Sequence, residues 1–65
     1  MPRIRVEWLQ GRTAKQREDL ARLITAAVVQ VANVKPEQVT VVFDETAPEL
    51  MFKASQPYRP VVPAG

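Results

Sequence analysis

A long stretch of helical pattern, residues 14–32, lies between two short stretches of strand pattern, and this order restricts the fold more than any other feature. Residues 3–9 alternate polar and apolar side chains, which is the period of a half-buried strand. Residues 39–43 are rich in β-branched side chains and predict a second strand. Two strands joined by a helix form a βαβ unit, with parallel strands and a right-handed crossover. We therefore expect an α/β (α+β) fold built on a single βαβ unit.

Capping residues mark the two ends of the predicted helix. Thr13 and Gln16 have the spacing of a capping box, in which each side chain bonds the backbone amide of the other. Asn33 is the expected C-cap, because asparagine tolerates the left-handed conformation. Pro36 cannot continue the helix, and residues 36–38 suit one short turn.

The helix carries apolar residues at helical spacing, which form a single stripe. They are Leu20, Leu23, Ile24, Ala27, Val28 and Val31. Val29 falls on the opposite side of the helix. It is either an ordinary exposed valine or a contact with another subunit.

The chain has 65 residues, which is too few for a large core. Small scaffolds usually need disulfides, metals or self-association. The sequence contains no Cys and no His, so disulfides and the common zinc ligand sets are excluded, and no metal site is expected. Because 46% of the residues are apolar, the composition is not that of a disordered chain. We expect one domain over residues 1–65 that forms a homo-oligomer, with neighbouring subunits extending its two-stranded sheet.

Polar side chains of the two strands fall on a common face, where they are expected to form a paired polar interior in the oligomer. This face comprises Arg3, Arg5 and Glu7 with Thr40, Val42 and Asp44.

The C-terminal part of the chain has a different character from the βαβ core, which we place at about residues 2–44. Four prolines fall within 16 residues there: Pro48, Pro57, Pro60 and Pro63. Proline at this density disfavours a helix or a central strand. Residues 45–65 are therefore expected to form an extended arm on a neighbouring subunit, or else a partly disordered tail.

Charge and hydropathy argue against two classes of partner. The net charge is +2, and the sequence has no run of Lys or Arg that would predict nucleic-acid binding. No segment has the length of a membrane span, and no signal peptide is visible. We expect a cytoplasmic protein that binds neither nucleic acid nor membranes.

The first residues offer a chemical group of their own. Removal of Met1, which is usual before proline, would leave Pro2 with a free secondary amine anchored by the first strand. Desolvation and nearby cations lower the pKa of such an amine toward neutrality, where a proton-transfer base works best. Arg12, just beyond the strand, can hold a carboxylate through two parallel hydrogen bonds.

The order of these features resembles the 4-oxalocrotonate tautomerase family of the tautomerase superfamily. The resemblance covers about residues 1–45: Met1-Pro2, a short strand, Gly11-Arg12-Thr13 with Gln16, an amphipathic helix, Pro36-Glu37 and a valine-rich strand. It implies a βαβ subunit assembled as a hexamer, and an activity that requires no cofactor.

The resemblance also implies roles for three residues. Pro2 matches the catalytic base that moves a proton between oxygen and carbon of a keto–enol substrate. Arg12 matches the residue that binds the remote carboxylate, usually from a neighbouring subunit. Leu9 matches an apolar wall near the proline.

The sequence departs from the family pattern on the substrate side. Thr40 stands where members usually carry a second arginine, and Met51 stands where an aromatic residue is expected, with Phe52 one place later. Thr40 and Phe52 are therefore candidate substrate-binding residues, and Lys53 or Arg59 can supply the missing charge. The glycine-rich hairpin that usually follows is absent.

The activity implied is a cofactor-independent keto–enol tautomerase acting on a small 2-hydroxy-dienoate or enolpyruvate-type carboxylate. A dehalogenase- or hydratase-like reaction is one alternative, and it requires an activating carboxylate for which Glu7 and Asp44 are the candidates. The other alternative is a non-catalytic subunit or binding module. It is favoured by Thr40, and a retained Met1 would abolish the base by converting the Pro2 amine to an amide.

Overall fold

The computed structural model describes residues 1–58, in which a helix connects two parallel strands. Strand β1 is Arg3–Leu9, helix α1 is Ala14–Ala32 and strand β2 is Thr40–Thr46. The two strands are direct neighbours and run parallel over their full lengths. The predicted βαβ unit is therefore confirmed.

Strand β2 extends further than the sequence predicts. The expected strand covered residues 39–43, whereas the observed one reaches Thr46, and the backbone N–H of Gln10 donates to the carbonyl of Thr46 at 3.0 Å. Asp44 and Glu45 have low intrinsic strand propensity, which is why the pattern stops before them. Pairing with β1 overrides that propensity, so β2 extends three residues beyond the predicted end at residue 43.

The predicted helix ends are confirmed. Thr13 Oγ1 accepts from the backbone N–H of Gln16 at 3.1 Å, and Gln16 Oε1 accepts from the N–H of Thr13 at 2.9 Å. Asn33 has φ 56° and ψ 48°, which is the left-handed cap. Residues Pro36–Gln38 form a single 3₁₀ turn before β2.

The residues of the predicted apolar stripe of α1 differ in how far they are buried. Leu20, Ile24 and Val28 are half-buried, whereas Leu23 is 58% exposed and Val31 is 86% exposed. Ala27 is exposed as well, and Val29, expected on the far side of the helix, is half-buried. The face that packs on the sheet is therefore rotated away from the centre of the predicted stripe.

The two faces of the sheet differ in the way that the alternation predicts. Toward α1 lie half-buried apolar side chains, namely Ile4, Val6 and Trp8 of β1 with Val41 and Phe43 of β2. The rings of Trp8 and Phe43 stack at a centroid distance of 5.1 Å. On the other face, Arg3, Arg5 and Glu7 are exposed, opposite Thr40, Val42 and Asp44 respectively. Their placement on one face is confirmed, and a role inside an oligomer stays a prediction.

A short hairpin follows β2, where the sequence predicts an extended arm or a partly disordered tail and no glycine-rich hairpin. Residues Pro48–Leu50 form a 3₁₀ turn, and strands β3 (Phe52–Lys53) and β4 (Gln56–Pro57) pair antiparallel. Ala54 and Ser55 connect them with φ of 52° and 66°, the two positive values of a tight hairpin turn that usually holds Asn-Gly. The hairpin is therefore present without its usual glycine. The expectations for Arg59, Pro60 and Pro63 lie outside the described residues.

Within residues 1–58, no hydrophobic side chain is fully buried. Large apolar side chains on the surface include Leu23, Val31, Leu50 and Phe52. A single copy of this chain therefore has little core shielded from water. In this part of the chain, α1 does not combine the length and the apolar character that a membrane-crossing helix needs.

Candidate active site

The predicted site residues lie at two opposite ends of the strand pair. Because β1 and β2 are parallel, Pro2 and Thr40 lie together where both strands begin, and the backbone N–H of Thr40 donates to the carbonyl of Pro2 at 3.0 Å. Leu9 and Arg12 lie where the strands end. Arg12 rests against Trp8, six residues from Pro2, and six strand residues span about 20 Å. One copy of the chain does not bring Pro2 and Arg12 together.

Pro2 is held at the start of the sheet. Pro2 is half-buried, and its carbonyl accepts a hydrogen bond from the backbone of Thr40 at the start of β2. Met1, which precedes it, is 92% exposed. Loss of Met1 would therefore remove little packing. The ring nitrogen would then be an amine at a fixed position immediately before β1.

Arg12 is positioned by the turn after β1. Gly11 has φ 119°, a conformation that side-chain-bearing residues rarely adopt, and it turns the chain away from the sheet. The guanidinium carbon of Arg12 lies 5.2 Å from the centre of the Trp8 ring, within the range of a cation–π interaction. A guanidinium over an aromatic face keeps N–H groups available at its edge for a carboxylate.

A cleft of about 220 Å³ opens at the same end of the sheet. It is lined by Glu7, Trp8, Leu9, Thr46 and Met51. Leu9 therefore lines this cleft, and so does Met51, the residue at the sequence position where the resemblance implies an aromatic side chain. Phe52, the other candidate, is 65% exposed on β3 and does not line this cleft.

Two charged residues that the sequence analysis overlooked lie behind Arg12. The carboxylate of Glu45 is 18% exposed and accepts from Trp8 Nε1 at 2.7 Å, Arg17 Nε at 2.8 Å and Arg17 Nη2 at 2.9 Å. Arg17 Nη2 also donates to the backbone carbonyl of Arg12 at 3.1 Å. One carboxylate therefore connects β1, β2, the helix and the turn that carries Arg12.

These bonds hold Glu45 in its charged form. Hydrogen bonding to Arg17 lowers the pKa of Glu45, partial desolvation opposes the shift, and the Trp8 N–H lowers the pKa further. The same hydrogen bond raises the pKa of Arg17. Both groups are therefore ionised at neutral pH.

A signal for this pair was present in the sequence. Glu45 continues the alternate positions of Val41 and Phe43, so it points toward the helix, where an unpaired carboxylate is costly. Arg17 lies one helical turn before Leu20 on the side of α1 that faces the sheet. Opposite charges at facing positions of two apolar surfaces predict an ion pair.

Two other candidates, Glu7 and Asp44, lie away from Pro2 in the single chain. They are direct cross-strand neighbours, and Glu7 is five strand residues, about 16 Å, from Pro2. Neither carboxylate therefore provides a charge next to the proline of its own chain. Lys53 is exposed in the hairpin.

Three comparisons agree on the family of this chain. The family model described as "Tautomerase enzyme" matches residues 2–55. A curated relative, a "Probable tautomerase" of Ralstonia nicotianae, is 35% identical over 48 residues, which are 74% of each chain.

Solved structures are also similar to the chain. A structure described among the 4-oxalocrotonate tautomerase isozymes of Methylibium petroleiphilum is 36% identical, with a TM-score of 0.79 over 86% of this chain and 88% of that one. A heterohexamer 4-oxalocrotonate tautomerase of Chloroflexus aurantiacus is 26% identical, with a TM-score of 0.78 over 88% and 92% of the two chains. Sequence and fold thus agree, and the chain belongs to the tautomerase family.

Proposed function

We propose that this protein is a cofactor-independent keto–enol tautomerase in which the amine of Pro2, freed by removal of Met1, is the general base. The neutral amine takes the enol proton of a small 2-hydroxy unsaturated acid and returns a proton to carbon, giving the 2-oxo acid. Arg12 holds a carboxylate of the substrate through its guanidinium edge.

The observation that carries this proposal is the fixed position of Pro2 in a tautomerase-family fold. The hydrogen bond from Thr40 to the Pro2 carbonyl holds the residue at the first position of a parallel sheet. A base held in place avoids the entropy loss of ordering a free terminus when the substrate binds.

The distance between the two ends of β1 supports an active site shared between copies of the chain. Pro2 and the Arg12 guanidinium are separated by about 20 Å along β1, which is longer than any small keto acid. The proposed assembly is a homohexamer in which the cleft beside Leu9 and Arg12 of one copy faces Pro2 of another. The Chloroflexus relative, described as a heterohexamer, supports an oligomer of this kind.

Thr40 contributes to the choice of substrate, because it lies beside the proposed base. Beside Pro2 its backbone N–H is already engaged, so its side chain offers one neutral hydroxyl to the substrate. A neutral donor stabilises an anion less than a guanidinium does. The end of the substrate near Pro2 is therefore recognised by hydrogen bonding, while the remote carboxylate is bound by Arg12.

The test compares chemically synthesised chains with and without Met1. The chain that begins at Pro2 should convert a simple enol acid to its keto form, with activity that rises with pH as the amine loses its proton. The chain that keeps Met1 has an amide in place of the amine and should lose at least about a hundredfold in kcat/KM, the usual contribution of a general base. Progress is followed by the loss of enol absorbance.

Arg12→Ala in the chain that begins at Pro2 is the matched variant for binding. It should raise KM for a substrate with a remote carboxylate more than it lowers kcat. Full activity in a chain with Met1 verified by mass spectrometry would refute the proposed base.

A further inference from the structure

The guanidinium of Arg12 is attached to a segment with little support of its own. Residues 10–13 are all exposed, and Gly11 lies outside the region that other residues favour. An arginine side chain loses much of its rotamer entropy when it is fixed in one position. A carboxylate site on such a turn needs neighbouring groups that fix the arginine beforehand.

Two contacts supply that support from outside the turn. Arg17 on the helix donates to the backbone carbonyl of Arg12. The Trp8 ring lies beneath the guanidinium of Arg12. The first contact fixes the backbone and the second fixes the end of the side chain.

Both contacts depend on one carboxylate. Glu45 accepts two hydrogen bonds from Arg17 and one from the indole N–H of Trp8, so it orients both residues that touch Arg12. Bidentate pairing of a guanidinium with a carboxylate fixes direction as well as distance. Among residues 1–58, the Arg17 guanidinium bonds only Glu45 and the carbonyl of Arg12. Without Glu45, only the carbonyl of Arg12 would remain as its partner.

We propose that Glu45 is a positioning residue which, through Arg17 and Trp8, sets the guanidinium of Arg12 for the remote carboxylate of the substrate. The inference rests on the proposed function, since it takes Arg12 as the carboxylate-binding residue. Glu45 itself touches no substrate. Its effect is on the binding of dicarboxylates, and the proton transfer at Pro2 is untouched.

The first test separates positioning from catalysis with two substrates. Glu45→Gln keeps the size of the side chain and removes its charge, and Arg17→Met removes the other partner. Each should raise KM about tenfold for a 2-hydroxy-dienoate with a remote carboxylate and change kcat less than threefold, as expected for a ground-state contact. The same enol acid without the remote carboxylate should be turned over as by wild type. Arg22→Met, which removes an exposed helix cation that pairs only with Asp19 among the described residues, is the control.

A double-mutant cycle distinguishes positioning from general destabilisation. If Glu45 acts through Arg12, Glu45→Gln should have no further effect on KM in an Arg12→Ala background. Circular dichroism and sedimentation identify any variant that fails to fold or assemble, and Arg17→Met tests the same connection independently. Equal losses for both substrates in folded protein, or additive losses in the cycle, would overturn the inference.

A binding measurement keeps this inference separate from the proposed activity. Adipate is a dicarboxylate without an enol, so its binding, measured by calorimetry, requires no proton transfer. Wild type should bind adipate, and Glu45→Gln and Arg17→Met should each weaken binding about tenfold. If the variants bind adipate more weakly as expected but wild type turns over no enol acid, only the proposed base at Pro2 is refuted. If adipate binding is undetectable, or equal in all chains, the positioning role of Glu45 is refuted.

Discussion

Arg12, the residue proposed to bind the substrate carboxylate, depends on the backbone conformation of its neighbour. Gly11 at φ 119° turns the chain out of β1, and apart from its two chain neighbours no residue among residues 1–58 has a heavy atom within 4 Å of the position that a Cβ would occupy. The restriction on this residue is therefore conformational, with no steric clash against the rest of the chain. In the hairpin turn a positive φ is adopted by a residue other than glycine, since Ala54 has φ 52° although it carries a side chain.

These two turns give a matched pair of predictions at the residue scale. Gly11→Ala should destabilise the protein by about 1–3 kcal/mol, the usual strain of a side-chain-bearing residue in a sparsely populated conformation. Ala54→Gly should stabilise it slightly, because glycine adopts the observed φ without strain. Thermal unfolding at one fixed subunit concentration measures both, since assembly makes the melting temperature concentration-dependent. A shift in the same direction for both variants would contradict the explanation.

At the scale of elements, the sequence predicts what local patterns determine. The capping box of Thr13 and Gln16 is a signal contained in four consecutive residues, and it fixes the start of α1. The alternation in residues 3–9 fixes which side of β1 faces the helix. The sequence predicts β2 too short because Asp44 and Glu45 have low strand propensity, which their pairing with distant residues of β1 overrides. Glu45 is also bonded to Arg17, a residue 28 positions earlier that no local window includes. The uneven burial of the helix stripe is likewise set by the sheet beneath it. The separation of Pro2 from Arg12 follows from the sequence pattern, because the two residues flank the predicted strand β1.

The Glu45–Arg17 pair predicts how stability depends on pH. The pKa of Glu45 is lower in the folded protein than in the unfolded chain, so the pair stabilises the fold at pH values above the ordinary glutamate pKa of about 4.3. This contribution decreases as the pH falls below that value, and it is lost once the pH is below the folded-state pKa. Urea unfolding midpoints of wild type and Glu45→Gln should therefore differ at pH 7 and converge in acid.

The comparison with Glu45→Gln isolates this carboxylate, because all the other titrating groups are the same in the two chains. Lys15→Met serves as a control, since the exposed Lys15–Asp19 pair should contribute little at either pH. A difference between wild type and Glu45→Gln that is independent of pH would show that the side chain acts through packing instead of charge.

At the scale of the whole molecule, a single copy of the chain leaves apolar side chains exposed that contacts with other copies would bury. The described residues include no fully buried hydrophobic side chain, and Leu23 and Val31 are exposed along one side of the helix. The polar face of the sheet and the cleft beside Leu9 are open as well. Burial of such surfaces against other copies would supply the stability that a chain of 65 residues lacks by itself.

An active site shared between copies leads to a prediction about mixed assemblies. A chain that keeps Met1 lacks the proposed base but retains Arg12, and an Arg12→Ala chain that begins at Pro2 has the reverse defect. When the two are unfolded together in equal amounts and refolded, about a quarter of the sites should combine an intact Pro2 with an intact Arg12 from another chain. The mixture should therefore recover activity, with the wild-type KM, toward a substrate with a remote carboxylate. Each variant refolded alone is the control, and a mixture no more active than the mean of the two would mean that each site draws both residues from the same chain.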